Sequence, residues 1–269
     1  MIELKYPVLL VHGFGFRDYQ YIGYWGRIPK ALEASGCKVY FGMQDSNGTI
    51  EDNGRFLAER IKSIIAESDS EKLNVIAHSK GGLDIRYAIS ALGMDRYIAT
   101  LSTISTPHNG SYTMDKIMSL PRWIVKIIAG CSDLWLRILG DKQPNAYRVF
   151  ESFTTKYAEK FNRENPDSPD VYYQSYAFTF SWPFSDILEW FQHFVVKRIE
   201  GENDGLLTPR AVKWGNFRGV YTGVTHRGIS HADEIDLRRR PFTKKKGNGI
   251  SDIVDFYVQL ISELKNMGY

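Results

Sequence analysis

Along the first hundred positions, short apolar runs typical of buried strands alternate with the spaced apolar residues typical of helices. Four short runs are mostly apolar, as in strands covered on both faces, at 6–11, 38–42, 73–77 and 100–104. Helical patterns lie between them, at 28–34, 55–66 and 82–92. Strands that alternate with helices predict an α/β fold, with a mostly parallel central sheet flanked by helices.

The stretch from about 110 to 170 departs from this alternation. Two helical apolar patterns, Ile117–Ile128 and Leu134–Leu139, follow one another without a strand pattern between them. We therefore predict a helical insertion at about 110–170. Its apolar residues either pack as ordinary core helices or form a lid over a hydrophobic substrate.

Strand patterns return after the insertion, at 172–180 and 219–224, and a last helical pattern covers 250–264. No internal repeat or low-complexity linker divides the chain. A length of 269 residues is compatible with one α/β domain, so we predict a single domain over residues 1–269.

The composition is typical of a folded protein with a large core. Hydrophobic residues make up 43% and charged residues 24%, which excludes a disordered chain and a small disulfide-stapled scaffold. The 34 basic and 31 acidic residues leave a formal charge of +3, so we expect no nucleic-acid partner. Cys37 and Cys131 offer no metal-ligand spacing, and a bridge between them stays open.

Nothing in the sequence indicates a transmembrane segment. No window reaches the ~18 uninterrupted apolar residues that a membrane span requires. Residues 1–11 are too short for a signal peptide, and no small-residue cleavage site follows them. We expect a cytoplasmic protein or, as the alternative, a secreted one whose sequence is shown without its signal.

The strongest chemical signal is the sequence LNVIAHSKGG at 73–82. An apolar strand runs into a small-x-Ser-x-Gly turn and then into a helix, which is the context of a nucleophile elbow. Because such a turn is sharp, the residues two before and two after the serine must be small, and Ala77 and Gly81 are. Ser79 is therefore the candidate nucleophile of a serine hydrolase.

A second signal is the loop His12-Gly13-Phe14-Gly15, directly after the first predicted strand. A glycine-containing loop at the carboxyl end of a strand can aim a backbone N–H at a developing oxyanion. The candidate oxyanion-hole donors are the N–H groups of Phe14 and of Lys80, the residue after the candidate nucleophile.

A serine nucleophile needs a base and an acid that orients the base, and in α/β-hydrolases the chain order is Ser, acid, His. Four histidines follow Ser79, at 108, 193, 226 and 231. His231 lies just past the last predicted strand, and His226 is its near rival. Asp204 is the candidate acid, in a polar Asn-Asp-Gly turn that we place directly after a strand.

Together these segments resemble the bacterial triacylglycerol lipases of the α/β-hydrolase superfamily. The matching segments are VHGF at 11–14, YWGRIPKAL at 24–32, AHSKGG at 77–82, ISTPHNG at 104–110, NDGLL at 203–207, KWG at 213–215 and HAD at 231–233. The resemblance implies an α/β-hydrolase fold with Ser79 as nucleophile, Asp204 as acid and His231 as base. It also implies that Phe14 and Lys80 supply the oxyanion hole.

The resemblance further implies a mobile lid at the insertion and no required cofactor. In several such lipases an aspartate two positions after the catalytic histidine helps to bind a structural calcium ion, and Asp233 has that position. The second acidic ligand is expected upstream of Asp204, where Asp186 is one candidate.

Two basic features stand out beside this resemblance. Lys80 occupies a position where many family members carry Met or Gln, and we hypothesise that its charge favours acyl chains with a negative group. The run RRRPFTKKK at 238–246 is either a solvated loop or a weak anchor to anionic interfaces.

The sequence therefore predicts a carboxylic ester hydrolase, specifically a triacylglycerol lipase that works through an acyl-enzyme, with a hydrophobic ester as substrate at a lipid–water interface. Four aromatic residues favour a hydrophobic acyl chain: Phe14, Phe16, Trp123 and Trp135. Two alternatives stay open. One is an intracellular carboxylesterase or thioesterase for soluble acyl substrates, and the other is a catalytically silent binding module.

Overall fold

A computed structural model of the protein describes residues 2, 4–18, 23–182, 186, 189–245 and 247–269. Six strands form one sheet: β1 (Val8–Val11), β2 (Val39–Phe41), β3 (Leu73–His78), β4 (Ile98–Ile104), β5 (Tyr172–Phe178) and β6 (Asn216–Tyr221). Their order is β2-β1-β3-β4-β5-β6, and each neighbouring pair is parallel. The predicted mostly parallel sheet is thus confirmed.

The helices lie in the connections between these strands and after the last one. They are α1 (Ile28–Ala34), α2 (Ile50–Ser68), α3 (Lys80–Ala91), α4 (Tyr112–Met118), α5 (Arg122–Ile138), α6 (Ala146–Ser152), α7 (Thr155–Glu164), α8 (Trp190–Ile199), α9 (Pro209–Val212) and α10 (Ile253–Asn266). Within the described residues, 3₁₀ turns lie at Asp95–Tyr97 and Asp233–Ile235.

Side chains of β1 alternate between two separate cores. Val8 and Leu10 pack in the core that α1 and α10 cover, whereas Leu9 and Val11 pack in the core under α2 and α3. Because all four are buried, the strand has no polar face, which explains its continuous apolar run. The carboxyl ends of β1 and β3 meet at one edge of the sheet, so the loops that follow them lie side by side.

The insertion between β4 and β5 consists of helices α4–α7, and no strand lies within positions 105–171, all of which the structure describes. The expected division of its helices is wrong. The first helical pattern is broken before Pro121, which cannot donate a backbone hydrogen bond, and α5 begins directly after it. The two patterns expected at 117–128 and 134–139 therefore belong mainly to one helix.

Helix α8 is a second difference from the sequence prediction. We expected the Asp204 turn directly after a strand, which is wrong because α8 lies between β5 and that turn. Several aromatic residues of α8 are exposed, so its sequence does not show an ordinary apolar stripe facing the core. The Phe180 amide donates to the Asn203 carbonyl at 3.1 Å, which brings the turn back to the end of β5.

One end of the insertion is fastened to the sheet by two reciprocal carboxylates. Asp141 accepts the backbone N–H groups at 46–47 at 3.0 and 2.8 Å. Asp45 accepts those at 142–143, both at 2.8 Å. The end of α5 is therefore held against the loop after β2.

The structure also bears on the two cysteines and on the absence of a predicted membrane span. Cys37 is buried and Cys131 is exposed, and both are free thiols, so they form no bridge. Among the residues that the structure describes, no helix combines the length and the apolar character needed to cross a bilayer.

Candidate active site

Ser79 lies in the turn between β3 and α3, at the edge where the two glycine-rich loops meet. Its φ of 52° is a positive value that residues other than glycine seldom adopt. The Ser79 amide donates to the carbonyl of Ile104 at 2.8 Å, and the Thr106 hydroxyl donates to the Ser79 carbonyl at 2.7 Å. This strained strand-to-helix turn has the geometry of a nucleophile elbow.

Two glycines make room for the turn. A Cβ atom at Gly13 would lie 2.7 Å from the Cβ of Ser79, and one at Gly81 would overlap the carbonyl oxygen of His12. Neither position accepts a side chain without moving the backbone. The loop after β1 consequently lies directly against the candidate nucleophile.

The two candidate oxyanion donors flank this point. Phe14 follows Gly13 on the loop after β1, and Lys80 is the first residue of α3. The ring of Phe14 packs against that of Phe150 in α6, with 5.8 Å between centroids. The loop therefore contacts the insertion as well as the elbow.

His231 and Asp204 form a buried pair. Nδ1 of His231 lies 2.9 Å from Oδ2 of Asp204, and the His231 amide donates to the Asp204 carbonyl at 2.7 Å. The amides of Leu206 and Leu207 donate to Oδ1 of Asp204 at 2.9 and 2.7 Å. Burial acts to raise the pKa of Asp204, but His231 and these amides outweigh it and hold the pKa below its ordinary value. Asp204 is thus ionised, which leaves Nε2 of His231 as the nitrogen that can take a proton.

The other candidate bases lie elsewhere. The rings of His108 and His193 are buried and each makes a hydrogen bond of 2.9 Å within the core, to Thr103 and Asn203 respectively. It is His231, not its rival at 226, that makes the contact with the candidate acid.

Glu234 is a further member of this cluster that the sequence analysis missed. Its Oε2 lies 3.0 Å from Nε2 of His78 and 3.8 Å from Nδ1 of His231. The Ser105 hydroxyl donates to its Oε1 at 2.9 Å. Burial and the charge of Asp204 raise the pKa of Glu234 well above its ordinary value, which favours the protonated carboxyl. The one available signal was its position three residues after His231.

His78 continues these contacts towards the loop after β1. The Tyr24 hydroxyl donates to Nδ1 of His78 at 2.7 Å and accepts the amide of Gly13 at 2.9 Å. Burial and the neighbouring His231 lower the pKa of His78 well below its ordinary value, so the ring is neutral and Nδ1 can accept. A buried chain of hydrogen bonds therefore connects Glu234, beside the candidate base, with the candidate oxyanion loop.

The side chain of Lys80 has a different role from the one we expected. It is fully buried, and its ammonium group lies 2.8 Å from both carboxylate oxygens of Asp84, one helical turn further along α3. Asn53 of α2 donates to the same carboxylate at 2.8 Å. The hypothesis that this charge selects anionic acyl chains is wrong, because the ammonium is buried and paired with the Asp84 carboxylate.

The candidate calcium ligands come together, but around an arginine. Nε of Arg238 lies 2.8 Å from Oδ1 of Asp233, and one of its terminal nitrogens lies 3.2 Å from Oδ2 of Asp186. A guanidinium group thus lies where an ion shared by these carboxylates would bind. The residues do not fit a calcium site, and no step of the chemistry involves one.

The basic run at 238–246 is accordingly not a uniformly solvated loop. Its first residue, Arg238, is turned inward to the two aspartates, whereas Arg239 and Arg240 are exposed. Lys246, the last residue of the run, lies outside the described residues.

Comparisons with known proteins show the family to which this chain belongs. Residues 35–143 match the family model described as "Putative serine esterase (DUF676)". Triacylglycerol lipase 2 of Saccharomyces cerevisiae is 31% identical over 263 residues, which cover 92% of this chain and 75% of the yeast protein. The chain belongs to the triacylglycerol lipase family of the α/β-hydrolases.

This lipase family also includes bacterial relatives of the chain. The triacylglycerol lipase of Pseudomonas fragi is 27% identical over 302 residues, which cover 99% of this chain and 98% of the relative. The mature lipase BlEst2 of Bacillus licheniformis has the same fold, with a TM-score of 0.66 and 22% identity over 86% of this chain and 87% of the other. The predictions of an α/β-hydrolase fold and of a carboxylic ester hydrolase with lipase or esterase activity are confirmed.

A first prediction concerns the buried ion pair behind the elbow. Lys80→Met leaves the Asp84 carboxylate buried and uncompensated, so the free energy of unfolding in urea should fall by about 3–5 kcal/mol. The matched control is Lys62→Met, which removes an exposed ion pair with Glu59 and should change it by less than about 1 kcal/mol. Adding Asp84→Leu to Lys80→Met should recover most of the loss, and no recovery would contradict the buried-pair explanation.

A second prediction follows from the protonated Glu234. The folded protein holds a proton that the unfolded chain releases above the ordinary glutamate pKa of 4.5, so this contribution to stability falls as the pH rises. Glu234→Gln imitates the protonated carboxyl and removes that dependence. As the pH rises from 4.5 towards the raised pKa of Glu234 in the folded protein, wild-type protein should lose stability relative to Glu234→Gln in urea unfolding, by at most about 1.4 kcal/mol per pH unit. Parallel stability–pH curves would show that Glu234 is ionised in the folded state.

Proposed function

We propose that the protein hydrolyses long-chain acyl esters, triacylglycerols in particular, through a triad of Ser79, His231 and Asp204. The observation that carries this proposal is the buried Asp204–His231 hydrogen bond of 2.9 Å. The ring of His78, which directly precedes Ser79, lies 4.4 Å from that of His231, so the paired base adjoins the elbow. Nucleophile, base and acid also follow one another in the order typical of the fold.

In the first half of the reaction, Nε2 of His231 accepts the hydroxyl proton of Ser79 as Oγ attacks the ester carbonyl. Asp204 stabilises the imidazolium that forms. The amides of Phe14 and Lys80 donate to the oxyanion of the tetrahedral intermediate, and loss of one such donor typically costs about 100- to 1000-fold in rate. His231 then gives its proton to the departing alcohol oxygen, and the acyl group stays on Ser79.

In the second half, a water molecule attacks the acyl-enzyme. His231 accepts a proton from that water, and the same two amides stabilise the second tetrahedral intermediate. The proton returns to Oγ of Ser79 as the carboxylic acid leaves. No further reactant is needed, because water supplies the new oxygen of the carboxylic acid and the proton that restores the Ser79 hydroxyl.

The proposal of a hydrophobic ester as substrate rests on exposed apolar side chains. On α5 and α8 it consists of Trp123, Ile127, Ile128, Leu134, Trp135, Ile138, Trp190, Phe191 and Phe194, each more than 44% exposed. Clusters of exposed apolar side chains on a folded protein usually mark an interaction surface. Val125 and Leu136 on the other side of α5 are buried and hold the helix to the protein.

We infer that α5 is the moving part of a lid formed by the insertion at about 110–170. The contact of Phe14 with α6 links this insertion to the oxyanion loop, and the Asp45–Asp141 clamp fixes the end of α5. The lid would open at a lipid surface, where its apolar side chains leave water. The single-domain organisation over 1–269 and the cytoplasmic location stay predictions.

The two alternatives differ from this proposal in ways that can be measured. A carboxylesterase or thioesterase for soluble substrates would prefer short acyl chains and would gain nothing from an interface. A catalytically silent module would not react with a fluorophosphonate. The hydrogen-bonded Asp204–His231 pair beside a strained serine disfavours the silent module, because backbone strain of this kind clusters at active sites.

The direct test is hydrolysis of p-nitrophenyl esters with acyl chains of about two to about sixteen carbons. Turnover should rise towards the long chains, and Ser79→Ala should abolish both turnover and fluorophosphonate labelling. Asp204→Asn replaces the accepting carboxylate by an amide and favours the wrong tautomer of His231. It should therefore reduce kcat about 10⁴-fold.

These outcomes separate the candidates. A maximum at short chains would favour the soluble esterase. Turnover that survives Ser79→Ala would contradict the nucleophile, and nearly full activity of Asp204→Asn would contradict the acid.

A further test addresses the apolar surface on α5. Trp123→Gln with Trp135→Gln should reduce hydrolysis of an emulsified triacylglycerol about tenfold or more, because burying one large apolar side chain is worth about 1.5–3 kcal/mol. Hydrolysis of a dissolved short ester should stay unchanged. Phe56→Gln, at an exposed aromatic residue of α2, is the matched control and should affect neither substrate. An equal loss on both substrates would exclude an interfacial role for α5.

A further inference from the structure

The loop that carries His231 is surrounded by acidic side chains. Asp186 and Asp233 are buried, and so is Glu189, which lies near both of them and near Asp204. Negative charge is therefore unfavourable in this cluster unless a cation compensates it.

Arg238 supplies that positive charge from the chain itself. Its guanidinium contacts Asp233 at 2.8 Å through Nε and Asp186 at 3.2 Å through a terminal nitrogen. The side chain of Arg238 is 21% exposed, whereas those of the two aspartates are 6% exposed or less. The planar, always charged guanidinium can bridge two carboxylates in this way, which a single ammonium cannot do as well.

The bridge joins two separate parts of the chain. The Ser230 hydroxyl donates to Asp186 at 2.6 Å, and Ser230 immediately precedes His231. The Asp233 amide donates back to the Ser230 hydroxyl at 3.2 Å. Through these contacts Arg238 connects the segment before α8 with Ser230 and Asp233, which lie on either side of His231 in the sequence.

We propose that Arg238 acts as a built-in cation: its guanidinium takes the place of a bound calcium ion between Asp186 and Asp233 and positions the His231 loop. Stability and loop geometry then do not depend on calcium. Removal of the guanidinium leaves Asp186 and Asp233 as two buried carboxyl groups, whose oxygens are the kind of ligand that calcium prefers. The arginine and the metal ion are alternative solutions to one electrostatic requirement.

The test compares melting temperatures (Tm) in excess EDTA and in millimolar CaCl₂. Wild-type Tm should differ by less than about 1 °C between the two buffers. Arg238→Gln should melt about 5 °C or more below wild type in EDTA, and calcium should restore at least half of that loss. Arg240→Gln, an exposed position two residues away, is the control and should match wild type in both buffers.

The proposal is overturned if wild-type Tm falls by several degrees in EDTA, or if Arg238→Gln is as stable as wild type in EDTA. Should Arg238→Gln fail to fold, the wild-type comparison still decides, together with Arg238→Lys. That variant keeps a positive charge and should have an intermediate Tm with little response to calcium. A calcium response of Arg238→Lys as large as that expected for Arg238→Gln would also contradict the proposal.

A kinetic measurement tests the positioning role and rests on the proposed function. Arg238→Gln should lower kcat about tenfold with KM nearly unchanged, and calcium should restore kcat along with Tm, because a displaced histidine impairs chemistry more than binding. If Tm behaves as expected but no ester is hydrolysed by any variant, the proposed function fails and the built-in cation stands. If esters are hydrolysed but neither Tm nor kcat responds to the substitution, the proposed function stands and the built-in cation is contradicted.

Discussion

The positive φ of Ser79 is the constraint on which the rest of the structure depends. A non-glycine residue in such a conformation costs about 1–3 kcal/mol, so its surroundings must over-determine it. The parallel pairing of β3 with β4 does this from one side, through the Ser79 amide and the Ile104 carbonyl. Close backbone approach does it from the other side, because Gly13 and Gly81 leave no space between the β1 loop and the elbow. The strain thus explains why small residues occur at fixed spacing around the serine, and why the first and third strands must be neighbours.

The second constraint is the concentration of carboxyl groups around His231. Asp204 and Glu234 lie close enough that ionising both is unfavourable, so the pKa of Asp204 is lowered and that of Glu234 is raised. Asp204 keeps its charge because backbone amides and His231 favour it, whereas Glu234 is adjacent to the neutral His78 and to a hydroxyl. The candidate acid is therefore distinguished from Glu234 by its hydrogen-bond partners rather than by its residue type. The same principle applies further out, where Arg238 balances the two aspartates.

Local backbone requirements could be predicted from the sequence, but long-range partners could not. The elbow and the HGFG loop follow from the small residues that sharp turns demand, and the sheet follows from apolar runs buried on both faces. Glu234 lies in no recognisable motif, because its place in the cluster depends on a contact with His78, which lies far away in the sequence. The inward turn of Arg238 is hidden in the same way within a run of basic residues. Lys80 differs, since its partner Asp84 lies at the i,i+4 spacing of an ion pair on one helix, and that signal was available.

The position of the His231 loop also depends on elements at both ends of the chain. At the start of α1, the guanidinium of Arg27 contacts Asp236 at 2.6 Å and Asp252, the N-cap of α10, at 2.8 Å. The Tyr257 hydroxyl of α10 donates to the Glu234 carbonyl at 2.9 Å. The loop is therefore held from α1 and α10, as well as through Arg238. Because these hydrogen bonds and ion pairs hold the loop from several sides, the imidazole of the proposed base is positioned before substrate binds, and little reorganisation would remain for the proposed reaction.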